Sequence, residues 1–81
     1  MKEDIIISKE ALSQTRFEVA LVNDLSHVKA NVFIQMGNKR VNAKSIIGII
    51  SLELKAGNIV TVSVVGEDEE EAMKKVKQIL Y

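Results

Sequence analysis

The chain has 81 residues, 47% hydrophobic and 27% charged, with eleven Lys plus Arg balanced by eleven Asp plus Glu and with neither Cys nor Pro. That length supports one small domain over residues 1–81 and no second core. The lack of cysteine excludes disulfides and thiolate metal sites and fits a reducing cytosol.

The N-terminal Met-Lys-Glu-Asp runs into Ile5-Ile6-Ile7 and lacks the apolar stretch of a signal peptide. Apolar runs such as Ile46 to Ile50 are far shorter than the about 20 residues that span a bilayer. A soluble, cytoplasmic protein without a membrane partner is expected. Zero net charge argues against direct nucleic-acid binding, which rests on excess Lys and Arg. The sum nevertheless conceals segregation. Residues 1–24 carry three basic and five acidic groups, residues 25–52 four basic and none acidic, and residues 53–81 four basic and six acidic.

In chain order, Ile5 to Ile7 is a short β-branched run that predicts a strand ending at Ser8-Lys9-Glu10. From Thr15 to about Ser26 the apolar positions Phe17, Ala20, Leu21 and Leu25 recur at three and four, which predicts a helix with one buried stripe. Thr15 and Glu18 have the spacing of a capping box, leaving Gln14 just outside the helix. Val32 to Met36 and Lys39 to Asn42 flank Gly37-Asn38, whose residues tolerate the positive φ of a tight hairpin turn. Ser45 reads as the N-cap of a short helix over residues 46–52, with a strand as the rival reading because of its four isoleucines. Gly57-Asn58 breaks the chain before a strand over Ile59 to Val64.

A last helix starts near Asp68. Its acidic first turn and later Lys74, Lys75 and Lys77 suit the helix dipole, with Glu70–Lys74 and Glu71–Lys75 as possible surface pairs. The order β-α-β-β-α-β-α suits an α+β fold, a four-stranded antiparallel sheet with three helices on one face.

Catalytic chemistry has little to build on. His27, the one histidine, falls near the C-terminal end of the first helix, where a cation suits the dipole, and it has no Cys or second His for a metal site. The acidic run at 67–71 lacks the spacing and Gly of a calcium loop and reads as a solvated helix start. No phosphate-cradling glycine pattern occurs, so neither an enzyme nor a cofactor is implied.

The segment after Ser45 is more informative. A helix lying on a sheet buries one side only, so some of Ile46, Ile47, Ile49 and Ile50 must face outward. An exposed apolar patch on so small a chain often marks a partner surface, here beside Lys39, Arg40 and Lys44; a thicker core or a simple dimer interface is the plain alternative.

Val41-Asn42-Ala43-Lys44-Ser45-Ile46-Ile47-Gly48-Ile49-Ile50-Ser51-Leu52 closely resembles the regulatory-serine segment of the HPr family, the phosphocarriers of the bacterial sugar phosphotransferase system, and most of all its Crh-type branch. The turn at Gly37-Asn38-Lys39, Gly57, the strand into Gly66 and the acidic Glu67-Asp68-Glu69 resemble that family too; the likeness is strong from about residue 30 onward and weak before it. The resemblance implies an open-faced β-sandwich.

Counted back from Ser45, the family's phosphate-accepting histidine falls on Gln14, and only Arg16 keeps its type in that loop. An amide nitrogen, its lone pair delocalised, is not a nucleophile. The family's flanking Gly and Pro are also absent. The resemblance therefore implies a regulator rather than a phosphohistidine carrier. In the family, HPr kinase/phosphorylase modifies the matching serine, and the modified form docks on a LacI-type transcription regulator. By position, Ser45 would be phosphorylated, Ile47 and Ile50 would make apolar contacts, Arg16 and Lys44 polar ones, and Gly48 would allow close approach. The chain is expected to be a monomer or weak dimer. A degenerate interaction module without phosphorylation chemistry is the alternative.

Overall fold

The computed structural model describes residues 1–8 and 16–81. The elements are β1 (Lys2–Ile6), α1 (Phe17–Leu25), β2 (Asn31–Met36), β3 (Lys39–Asn42), α2 (Ile46–Ser51), β4 (Ile59–Val65) and α3 (Glu69–Leu80). The strands form one antiparallel sheet in the order β1-β4-β2-β3.

Alternation along the strands decides which face is covered. Ile5, Val32, Ile34, Val60, Val62 and Val64 are buried, while their neighbours Asp4, Ile6, Gln35, Ile59 and Val65 are exposed. A period of two puts the first set on one face and the second on the other. The covered face receives Phe17, Leu21 and Leu25 of α1, Ile49 of α2, and Ala72, Met73, Val76, Ile79 and Leu80 of α3. Each large apolar side chain buried there contributes about 1.5–3 kcal/mol. The opposite face is open.

β1 begins earlier than its apolar run. Lys2 pairs with Ser63 and Ile6 with Ile59, and beyond Ile6 the ladder continues through Ile7, whose N–H donates to the Asn58 carbonyl at 2.8 Å. An edge strand is held by its backbone, so polar Lys2 and Asp4 join it without a core-facing side chain. The hairpin turns at Gly37, with φ +61°, where Met36 pairs with Lys39.

The start of α1 differs from the capping-box expectation. Its N-cap is Arg16, in the left-handed conformation at φ 61°, ψ 46° and without a side-chain cap, while Thr15 lies outside the described residues. The helix ends at Leu25 with Ser26 as its C-cap, and exposed His27 follows directly, near the C-terminal end as expected.

In α3 neither Glu70–Lys74 nor Glu71–Lys75 closes to an ion pair. Among the described residues the pairs join Lys77 to Glu3 at 2.6 Å and the N-terminal ammonium to Glu69 at 3.1 Å, fastening the helix to β1.

Candidate functional site

α2 has only six residues and owes its start to Ser45. Ser45 is extended, at φ −107° and ψ 115°, and its Oγ accepts from the Gly48 N–H at 3.2 Å, the N-cap arrangement expected from the sequence. The remaining bonds close the turn at its other end. Ser51 Oγ donates to the Gly48 carbonyl at 2.6 Å, and Lys39 Nζ donates to the Ser51 carbonyl at 2.7 Å.

The isoleucines divide as a helix on a sheet requires. Ile49 is 1% exposed, whereas Ile46, Ile47 and Ile50 are 39%, 81% and 53% exposed. Ser45 itself is exposed. One hydroxyl and three apolar side chains thus share an outward surface. Gly48 lies half-buried beneath them, where an added Cβ would come within 3.2 Å of Val41 Cβ.

The cations near α2 are engaged within the chain, Lys39 and Arg40 at the surface and Lys44 partly buried, which the sequence does not reveal. Lys39 closes the helix, Arg40 stacks on Phe33 with its guanidinium carbon 4.2 Å from the ring centroid, and Lys44 Nζ donates to the Val28 carbonyl at 2.8 Å. Arg16 is exposed at the start of α1, and α1 contacts α2. Gln14, the position of the family's histidine, lies outside the described residues.

A further polar contact escaped sequence reading altogether. The Asp68 carboxylate accepts from the backbone N–H groups of Lys29 and Ala30 at 2.7 and 2.8 Å, tying the turn before β2 to the start of α3. The Lys29 amide is the chief reason that this carboxyl lies below its ordinary value of 3.8; partial desolvation opposes the effect, and the amides of Ala30 and Asp68 and the Lys44 ammonium add to it. Gly66 permits the approach. Its φ is +153°, and a Cβ there would lie 2.6 Å from Ala30 Cα.

Among the described residues no three His, Cys, Asp or Glu side chains gather in a possible metal site, and no helix is long and apolar enough to cross a membrane.

The serine-capped isoleucine helix thus lies beside an open-faced sheet covered by three helices. The chain belongs to the HPr family: the family model described as the PTS HPr component phosphorylation site matches residues 1–81. The HPr-like protein Crh of Bacillus subtilis is 40% identical over 63 residues, covering 78% of this chain and 74% of Crh. The crystal structure of the phosphocarrier protein HPr of Bacillus anthracis superposes with a TM-score of 0.91 at 31% identity, covering 100% of this chain and 96% of that one. A crystal structure of Bacillus subtilis Crh, described as a dimer with a swapping domain, gives 0.71 at 31% identity, covering 95% and 88%.

Proposed function

We propose that this chain is a single-domain, cytoplasmic regulator switched by phosphorylation of Ser45. The observation that carries the reading is the pairing of an exposed Ser45 hydroxyl with the exposed Ile47 and Ile50 on one short helix. Phosphorylation adds nearly two negative charges beside an apolar surface, so a partner that reads both discriminates the modified form.

HPr kinase/phosphorylase is the modifying enzyme in this reading, and a LacI-type transcription regulator is the partner. Ile47 and Ile50 enter its apolar pocket, with Arg16 and Lys44 as polar contacts; Lys44 must first leave the Val28 carbonyl. Gly48 lets α2 pack closely on Val41 and Asn42 and so sets the height at which Ile47 and Ile50 are presented to the partner. Gln14 at the histidine position cannot accept phosphate, which removes the carrier function. The chain binds no nucleic acid directly and acts as a monomer or weak dimer.

The test is mass spectrometry after incubation with HPr kinase and ATP. The wild type gains about 80 Da, one phosphoryl group, and Ser45→Ala gains nothing. An unmodified wild type defeats the reading.

One observation favours a second reading. Ile47 is 81% exposed without any phosphate present, so α2 already offers an apolar contact. In that case the chain is an interaction module whose binding depends on Ile47 and Ile50 and is indifferent to Ser45.

A further inference from the structure

We infer that Lys44 is an internal relay, coupling the chemical state of Ser45 to the turn at residues 28–30 that follows α1. The inference rests on Ser45 being a phosphorylated position and adds what modification does inside the molecule.

Three side-chain hydrogen bonds hold that turn, besides the Val28 N–H, which donates to the Leu25 carbonyl at 3.2 Å. Lys44 Nζ donates to the Val28 carbonyl at 2.8 Å, and the Asp68 carboxylate receives the Lys29 and Ala30 amides at 2.7 and 2.8 Å. The first is reversible by charge. Its ammonium serves a neutral carbonyl, is only partly buried, and belongs to the residue adjoining Ser45. A phosphate on Ser45 is a stronger acceptor for the same ammonium than a peptide carbonyl is.

Drawing Lys44 to the phosphate strips the turn of one of these three side-chain ties and takes a cation away from Asp68, whose carboxylate that cation favours. The Lys44 backbone need not move, because its N–H is held separately by Asn42 Oδ1 at 2.8 Å. The signal travels along one side chain.

The experiment uses the full chain with phosphoserine installed at position 45 by synthesis, so that it does not depend on any kinase accepting the protein. Amide hydrogen exchange and chemical shifts are followed at Lys29 and Ala30, with Val62 in the core strand as control. Phosphoserine is expected to quicken exchange at both turn amides roughly fivefold, the loss of about one hydrogen bond, and to leave Val62 unchanged. In Lys44→Met exchange is already fast, and phosphoserine adds less than half of the wild-type change. Lys44→Arg keeps the cation and the response. An unaltered turn in the phosphorylated wild type overturns the inference, as does an equal response in Lys44→Met. Failure of HPr kinase to modify Ser45 instead counts against the regulatory reading alone.

Discussion

Replacing the two neighbouring kinds of isoleucine in α2 tests whether this helix is anchored by one side chain and displays the others. Ile49 is 1% exposed and packs with Leu52 and the sheet, so Ile49→Ala removes buried methyl groups and leaves a cavity, a loss of about 2–5 kcal/mol. A chain of this length has a total stability of roughly 4–12 kcal/mol, so the variant is expected to lose a large fraction of it. Ile47, at 81% exposure, has almost no packing to lose, and Ile47→Ala should fall within about 0.5 kcal/mol of the wild type.

Urea titration followed by circular dichroism reads both, as a shift in midpoint at constant slope. A companion thermal melt should separate the variants by about 4–8 °C for each kcal/mol. A loss above about 1 kcal/mol for Ile47→Ala would refute the reasoning, because the side chain would then be covered in solution.

Three further outcomes follow from backbone and charge. Gly66→Ala forces a Cβ to within 2.6 Å of Ala30 Cα at an unfavourable φ and should cost at least about 1–3 kcal/mol, whereas Gly57→Ala, at φ +88° with open space around it, pays for conformation alone; urea midpoints should rank them in that order. Asp68 is lowered below 3.8 in the folded chain, so its contribution to stability is present above the unfolded carboxyl value and is lost as pH falls through the lower folded value. Urea midpoints between about pH 5 and 2 should therefore fall less steeply for Asp68→Asn than for the wild type. Glu53 stands at φ 52° after α2, and Glu53→Asn, better suited to that conformation, should raise the melting temperature by the equivalent of up to about 1 kcal/mol.

The legible parts of this chain are those with local causes. The Gly37-Asn38 hairpin, the Ser45 cap and the acidic start of α3 each rest on a few adjacent residues, and the element order follows from them. Exposure of Ile47 and Ile50 was deducible too, since no helix on a sheet can bury every side.

Four features were hidden because no local residue pattern carries them. α1 starts after a left-handed Arg16, a backbone state that no residue pattern around Thr15 announces. β1 reaches back to Lys2 because β4 supplies its hydrogen bonds. The heads of Lys39 and Lys44 lie on carbonyls 12 and 16 positions away, so a cationic segment read as a docking rim is in part an internal brace. The Asp68 tie spans 38 and 39 positions and is invisible to any local pattern.

The central claim is that phosphate on Ser45 and the isoleucine surface of α2 act together. Calorimetric titration of a LacI-type regulator from the same genome with the unmodified chain, the Ser45-phosphorylated chain and phosphorylated Ile47→Ala tests it most directly. Binding is expected to be at least about tenfold tighter for the phosphorylated wild type than for either of the others, about 1.4 kcal/mol. Equal affinity with and without the phosphate would contradict it.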